Sequence, residues 1–458
     1  MSKLIIQNGN MCELDLPLKF AQKLYNEFAI RHPNAFYLRT RQRGMQNWDG
    51  KIHYITKTGQ FKIGLLPKVY DMCIEMGIKP KVVDMRQPLP KVSKVVTNIG
   101  KYKLRPEQEK AVKSVINNRV GDTPFHIGVL DYTVNAGKTL IMSSLYLTYK
   151  KQLKTLLITN DSDWLNQARE EFKQYLPGED ITFVQGKVLN WSNFTIGMVQ
   201  SISRNMRFYQ KELSQIDMVL VDEADQGGSK QYQNVITRLF NTRIRIGLSG
   251  TIYMSKLAKD KVKNMNLECF FGKVIAEFKL KDSIKKGYST KTIVKMVPGK
   301  PWYGNWESDC ISYKEIYDDS ITENNTAWTM AYNRLRWNIN QGRYPALVVC
   351  KHIAHCENLY KFFKKKLGDA YNIAYVHVNT PSKLRQQIMR DFREGKIDIL
   401  VSTTIIARGK NFPKLRYLLN AASMDSQEKS IQFLGRLVRT DKSKKKVYLD
   451  DLHYPGPY

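Results

Sequence analysis

The sequence predicts an α/β protein with two parallel-sheet domains in tandem, preceded by a small α+β domain. Three observations carry this reading. Strand-like and helix-like patterns alternate from about residue 102 to 287 and again from about 290 onward, the order that a parallel sheet covered by helices requires. In the first block a β-branched run breaks into a turn ending Gly137-Lys138-Thr139, followed by a helical pattern. Later in that block four apolar residues lead into Asp222-Glu223-Ala224-Asp225, which puts two carboxylates at the C-terminal edge of a sheet, where ligands of such sheets bind.

The expected domains are residues 1–98, 99–287 and 288–458. In the first, 4–16 reads as strand, and Leu18, Ala21, Leu24, Tyr25 and Phe28 recur at helical spacing. Two β-rich runs, 35–41 and 51–56, are expected to pair as a hairpin closed by Asp49-Gly50, with a short helix over 68–76 after Pro67. Arg39, Arg41, Arg43, Lys51, Lys57 and Lys62 make that hairpin basic, which reads as nucleic-acid contact in preference to a merely solvated edge. Pro80, Pro88 and Pro90 mark a stiff linker. Expected strands of the second domain are 127–131, 155–159, 195–199, 218–221 and 244–249. Those of the third are 292–296, 346–350, 373–376, 397–401, 417–421 and 446–449, with a helix over the second half of 301–343.

Composition limits the partners. The chain has 458 residues, enough for two or three cores, and is 42% hydrophobic with no stretch long enough to span a bilayer. Its first residues lack the apolar core and cleavage site of a signal peptide, so none is expected. Lys plus Arg total 73 against 42 acids, a formal net charge of +31 that points to a polyanion. Nucleic acid is favoured over an anionic membrane, since there is no basic amphipathic helix with an aromatic face and no lipidation signal. Six scattered cysteines without a C-x-x-C pair fit a reducing, cytoplasmic setting. Cys350, His352, His355 and Cys356 lie within seven positions, yet their spacing matches no familiar zinc module and reads as a buried strand running into a helix.

The chemistry centres on the turn at 133–140. A nucleoside triphosphate needs backbone N–H groups at a helix start, a lysine on its outer phosphates and a hydroxyl on its magnesium, and Thr133, Asn135, Ala136, Gly137, Lys138, Thr139 and Leu140 can supply them. Tyr132 and Asn135 stand where glycines are usual, but Asn tolerates left-handed backbone angles. Asp222, with Thr139, is placed to hold magnesium and Glu223 to orient or deprotonate the attacking water. Ahead of the block, Arg105 and Gln108 open a helix, and a Gln amide can read adenine N6 and N7, although a helix start needs no such role. Near the end, in the stretch that begins at Gln432, Arg436 and Arg439 lie at i and i+3 on one helical face and are suited to a γ-phosphate.

Gln108, Gly137-Lys138-Thr139, Asp222-Glu223-Ala224-Asp225, Ser249-Gly250-Thr251, 403–409 (with Thr403, Arg408 and Gly409) and Gln432-x-x-Gly435-Arg436-x-x-Arg439 occur in the order, and at about the separations, of the superfamily 2 helicase motifs. Residues 102–440 resemble that family. The resemblance implies two RecA-like domains with ATP, magnesium and nucleic acid in the cleft between them, and a role for Ser249 and Thr251 in coupling hydrolysis to domain movement. Asn47-Trp48-Asp49-Gly50-Lys51-Ile52, Ala136-Gly137-Lys138 and Lys351-His352-Ile-Ala-His355 are similar to bacteriophage UvsW-type helicases, which implies branched or forked DNA as partner, in replication, recombination or repair.

By position, strand contacts are implied at Thr159, Asn160, Gln185, Gly186, Gln200 and Ser201, and at Lys351, His352, Asn379, Thr403 and Arg408. Asp-Glu-Ala-Asp also suggests a DEAD-box RNA helicase, but Gln432 stands where those proteins have His, and no Thr-Gly separates Arg436 from Arg439. A third reading is a DNA clamp that binds ATP without hydrolysing it, suggested by Tyr132 and Asn135.

Overall fold

The computed structural model describes residues 2–41, 45–92, 94–149, 152–252, 260–299, 312–407, 412–423 and 444–454. It divides into two compact units, Met1–Lys279 and Leu280–Tyr458.

In the first unit a seven-stranded sheet runs in the order Ile181–Val184, Phe194–Met198, Thr155–Thr159, Met218–Asp222, Ile244–Ser249, His126–Tyr132 and Val274–Phe278. Every neighbouring pair is parallel. The four inner strands that read as continuous apolar runs are buried along their whole length, as strands covered by helices on both faces must be. Ile181–Val184 and Val274–Phe278, which the sequence reading did not find, are the two edge strands and are only partly buried.

The second unit has a six-stranded sheet, all parallel, in the order Lys291–Pro298, Lys446–His453, Tyr417–Asn420, Ala346–Cys350, Ile399–Thr403 and Ile373–Val376. The helix expected before it is Asn325–Ile339, whose Asn324 side chain accepts from the Thr326 and Ala327 amides and so caps the start. This unit begins at Leu280, a few residues ahead of the expected division at 287.

The N-terminal residues build their own four-stranded sheet, in the order Gln60–Lys62, Met11–Asp15, Lys3–Ile6 and Lys81–Asp84. Two expectations are corrected here. Segment 35–41 is a helix, Ala35–Arg41, and not a strand. Its aromatic and β-branched content favours a strand, but Ala35 packs inward while the consecutive Phe36 and Tyr37 are both exposed, which a two-residue alternation forbids. Lys51–His53 pairs instead with Ala29–Arg31, and Gly50 (φ +78°) makes the turn that Asp49-Gly50 announced. Arg39 and Arg41 therefore lie in the last turn of a helix, and Arg43 is outside the described residues. The proline-marked linker is also part strand: Lys81–Asp84 pairs parallel to Lys3–Ile6, with the prolines flanking it and not interrupting it.

This small sheet is packed onto the first α/β sheet. Leu4, Ile6, Phe61 and Ile63 share one core with Ile127, Val129 and Phe271. Gly64 is where the backbones meet, since a Cβ there would lie 2.1 Å from Glu268 O. Arg245, fully buried in a strand of the large sheet, donates to Gly9 O (2.6 Å), Asn10 Oδ1 (2.7 Å) and Phe270 O (3.2 Å). Burial pulls its guanidinium down to about 9, with Arg86 adding to the effect, so those acceptors are what make the charge tolerable. Tyr54 Oη to Asn266 Oδ1 (3.1 Å) and Lys68 to Glu268 (3.0 Å) cross the same seam.

Truncation to residues 99–458 removes two of the three Arg245 acceptors and strips part of the shared core. We expect the unfolding midpoint of the first unit to fall by roughly 5–10 °C, the shift that about 2–3 kcal/mol produces in a domain of this size. Equal midpoints for the full chain and the truncation would show that the seam contributes nothing.

Candidate nucleotide site and strand-facing edge

Because every strand of the first sheet runs the same way, their C-terminal ends share one edge. Asp131 lies opposite Ser249 and Asp222 opposite Leu248, so the phosphate loop, the acidic turn and Ser249-Gly250-Thr251 emerge side by side. The strand that carries Ser249 is between the other two.

The phosphate loop keeps its shape despite its missing glycines. Asn135 (φ +65°) and Gly137 (φ +73°) are both left-handed, and Gly137 caps the helix Lys138–Thr148. Tyr132 is not a defective glycine: its ring is fully buried, 6.0 Å from that of Phe278, and its hydroxyl donates to Glu107 O at 2.8 Å. Gln108, also fully buried, accepts from the Arg105 amide (2.8 Å) and donates to Ala136 O (2.8 Å), while Arg105 Nη1 reaches Asn135 O (3.4 Å). Both ends of the Gln108 amide are thus engaged by the chain itself, bracing the loop, where the sequence suggested an adenine contact. The Thr133 amide donates to Phe278 O (3.0 Å), and Leu140 N closes the first turn onto Gly137 O (3.0 Å).

Lys138 Nζ lies 3.9 Å from Asp222 Oδ1. Burial raises the Asp222 carboxyl above its ordinary range, and the Lys138 ammonium pulls against that. Among the described residues, Asp222 Oδ1 and both polar atoms of the Asn135 amide are buried without a hydrogen-bond partner. Unsatisfied acceptors beside a lysine, a helix N-terminus and Thr139 suit a magnesium-bound triphosphate, which would satisfy them. Glu223 follows in a left-handed conformation (φ +53°), a strain that non-glycine residues adopt where function holds them.

Asp225, which sequence reasoning named only as part of a motif, is the hinge pin of the edge. Its Oδ1 accepts from Ser249 Oγ (2.8 Å), Thr251 N donates back to Ser249 Oγ (3.1 Å), and Gly250 sits against the phosphate loop, where a Cβ would lie 3.1 Å from Tyr132 O. Asp131 pairs with Lys279 at the last strand of the unit.

The strand-contact candidates of the first unit come together in two bonded pairs. Gln200 donates to Asn160 O (3.2 Å), and the Gly186 amide donates to Ser201 Oγ (3.0 Å). Thr159 is buried and accepts from the Asp161 amide, and Gln185 is exposed. In the second unit Cys350 lies opposite Thr403, so Lys351, His352, Asn379 and Thr403 share a C-terminal edge of their own.

Tyr317, missed in the sequence, organises that end. The Lys351 ammonium lies 4.9 Å from its ring and His352 meets it edge-on, while its hydroxyl is 3.3 Å from His355 Nδ1 and donates to Ala422 O (3.1 Å). Cys350, His355 and Cys356 are buried in the core behind it. Burial, then the neighbouring His352, drives the His355 imidazole down to about 3. Arg408, Gly409, Gln432, Arg436 and Arg439 lie outside the described residues.

The profile of the type III restriction enzyme res subunit matches residues 101–254, and that of the helicase conserved C-terminal domain matches residues 331–441. The chain belongs to the superfamily 2 helicases. Its two parallel sheets are RecA-like. The helicase is 21% identical to the ATP-dependent DNA helicase uvsW of Enterobacteria phage T4, over 87% of this chain and 80% of that one. It is 22% identical to putative helicase 22 of a Sulfolobus islandicus filamentous virus (77% and 64%) and to the putative ATP-dependent helicase IRC3 of Saccharomyces cerevisiae (76% and 51%). It thus spans just under two thirds of the viral protein and about half of the yeast one.

In fold it is similar to the ATP-dependent Type ISP restriction-modification enzyme LlaBIII (TM-score 0.58, 14% identity, 83% of this chain and 30% of that one). It is likewise similar to a putative HsdR fragment from Vibrio vulnificus (0.57, 16%, 76% and 64%). No described helix of the helicase is long and apolar enough to cross a membrane.

A Cβ at position 137 would meet Gln108 Nε2 at 2.3 Å and force a left-handed alanine. Gly137→Ala should weaken ATP binding by about tenfold, read by titration with a fluorescent nucleotide; parental affinity would mean the loop tolerates a side chain. His355 supplies a second expectation, about pH. Its folded-state value is depressed, so its contribution to stability is present above about pH 6.5 and is lost as pH falls from there toward 3. The thermal midpoint of the parent should fall more steeply between pH 7 and 5 than that of His355→Gln, and parallel curves would exclude His355 as the source.

Proposed function

We propose that the protein is an ATP-dependent DNA helicase or translocase acting on forked and junction DNA, with magnesium held by Thr139 and Asp222. The observation that carries the ATPase half is the buried Asp222 carboxylate beside Lys138, with Glu223 next in line at the same sheet edge. Lys138 would meet the outer phosphates of a bound triphosphate, a magnesium held by Thr139 and Asp222 would supply neutralising charge there, and Glu223 would take the proton of the attacking water. Arg436 and Arg439 stabilise charge on the γ-phosphate, where their planar forks are suited to two oxygens at once. Asp225, Ser249 and Thr251 link the acidic turn to the neighbouring loop, a route by which hydrolysis is felt at the strand-contact loops.

DNA is preferred over RNA because a relative matched over 87% of this chain and 80% of its own is named a DNA helicase, whereas the matches to the RNA helicases RhlB, CHR1 and ddx41 cover at most 49% of this chain. The strand passes Thr159, Asn160, Gln185, Gly186, Gln200 and Ser201, and in the second unit Lys351, His352, Asn379, Thr403 and Arg408. Phosphate and loop contacts of this kind carry no sequence code, so binding is selective for structure. The N-terminal residues add grip on the duplex through Arg39, Arg41, Arg43 and Lys51. Arg31, Arg39 and Lys51 line a groove of about 510 Å³ there. Trp48 fixes the turn, its indole N–H donating to Lys51 O at 2.9 Å.

The test is ATP turnover and strand separation on forks, four-way junctions, single strands and duplex RNA, for the parent and for Glu223→Gln. We expect DNA forks to stimulate turnover and RNA not to. Glu223→Gln should bind ATP nearly as the parent does but turn it over slower by a factor of about 100 or more. Stimulation by RNA alone would make it an RNA helicase, DNA binding without any DNA-stimulated hydrolysis would make it a clamp, and normal turnover in Glu223→Gln would remove that carboxylate from the reaction.

A further inference from the structure

We propose that Phe208, flanked by Lys187 and Arg207, is a stacking platform for an unpaired base of the bound strand, just beyond the loops of Gln185, Gly186 and Ser201. The proposal rests on the DNA reading above and names a contact that the motifs do not contain.

Phe208 ends a short 3-10 turn, Met206–Phe208, and is 41% exposed, whereas the next residue, Tyr209, is fully buried. That pair fixes the platform. The Tyr209 hydroxyl donates to Gly186 O (3.1 Å) and accepts from the Val188 amide (2.9 Å), and its ring packs against Trp191. Asn205 Nδ2 donates to Ser201 O (2.9 Å), and the Phe208 amide donates to Asn205 O (2.9 Å). The exposed ring is therefore tied at its base to the same Gly186 and Ser201 that pair with each other at the strand-facing edge.

A single exposed phenylalanine is ordinary in a protein surface. What sets this one apart is its electrostatic surroundings. Lys187 Nζ lies 4.0 Å and Arg207 Cζ 4.8 Å from its ring centroid. From Gln185 to Lys211 the chain has four cations (Lys187, Arg204, Arg207, Lys211) and no acid. The charge selects a polyanion, and the aromatic face selects one that offers flat rings. A duplex buries its base faces against one another, so the fitting partner is an unpaired strand, whose bases stack on aromatic rings without regard to sequence. The Lys187 ammonium, on a flexible stem, can leave the ring for a phosphate as a base takes its place.

Binding of labelled oligo-dT and of an abasic strand of equal length to the full chain, followed by fluorescence anisotropy, separates stacking from charge. The parent should prefer oligo-dT. Phe208→Ala and Phe208→Leu should each weaken oligo-dT binding by about tenfold and leave the abasic strand unaffected, and Phe208→Trp should restore the preference. Leu keeps the apolar bulk, so its loss is not a packing effect. Lys187→Ala with Arg207→Ala should make the salt dependence shallower by about 1.4 in log–log slope, about 0.7 for each phosphate no longer neutralised.

The proposal falls if Phe208→Leu binds oligo-dT like the parent, or if it loses as much on the abasic strand. A parent that binds neither strand overturns the DNA reading itself. A parent that binds DNA with an indifferent Phe208 overturns only the platform.

Discussion

The amide of Gln108 is the joint on which the nucleotide site depends. Held between the Arg105 amide and Ala136 O, it fixes the one turn in which Asn135 and Gly137 must both be left-handed, and it fills the space that a side chain on residue 137 would need. A loop with several glycines can reach this shape because no Cβ opposes it. Here only one glycine is left, and the shape is imposed from outside: by Gln108, by the Tyr132 hydroxyl on Glu107 O, and by Gly250 pressed against Tyr132 O. The sequence therefore departs from the usual phosphate-loop pattern where packing has taken over the work of backbone freedom.

The same trade appears in the charges. Asp222 is buried with its Oδ1 lacking a hydrogen bond and Lys138 3.9 Å from it, an arrangement that costs stability in the folded chain and that a cation and phosphates would relieve. Arg245, equally buried, is treated differently: its two Nη atoms donate to three acceptors, and only Nε is left without a hydrogen bond. One buried charge has an oxygen without a hydrogen bond at the sheet edge, and the other is held by three hydrogen bonds behind it. That contrast is the physical difference between a site and a rivet.

Much of this was legible from residue order, and the parts that were not share a cause. Strands 155–159, 244–249 and 346–350 match the structure end to end, each an inner strand buried along its whole length, whereas 373–376 matches although it is an edge strand with two half-buried residues. The edge strands Ile181–Val184 and Val274–Phe278 carry weaker patterns, since edge positions are half solvated. Ala35–Arg41 misled because aromatic and β-branched residues favour strands unless their neighbours decide otherwise. The lysine, the acids and Ser249-Gly250-Thr251 could be named in advance because each motif is local. The bonds that set their geometry could not, because they join residues far apart: Gln108 to Ala136, Asp225 to Ser249, Tyr317 to His355. Tyr132 did carry a signal, in that an aromatic at a glycine position has to be packed somewhere.

The seam at Arg245 has a mechanical consequence. Arg245 lies on the strand Ile244–Ser249, the strand that ends in Ser249 and runs between those carrying the phosphate loop and Asp222. Its guanidinium holds Gly9 and Asn10 at the opposite end of that strand, and Gly9 N donates in turn to Phe240 O. The four-stranded N-terminal sheet is thus fastened to an inner strand of the seven-stranded sheet through a shared core and buried hydrogen bonds. Interiors packed at this density transmit displacement and do not absorb it. The four-stranded N-terminal sheet and the seven-stranded sheet, which share one core within the first unit, therefore move together.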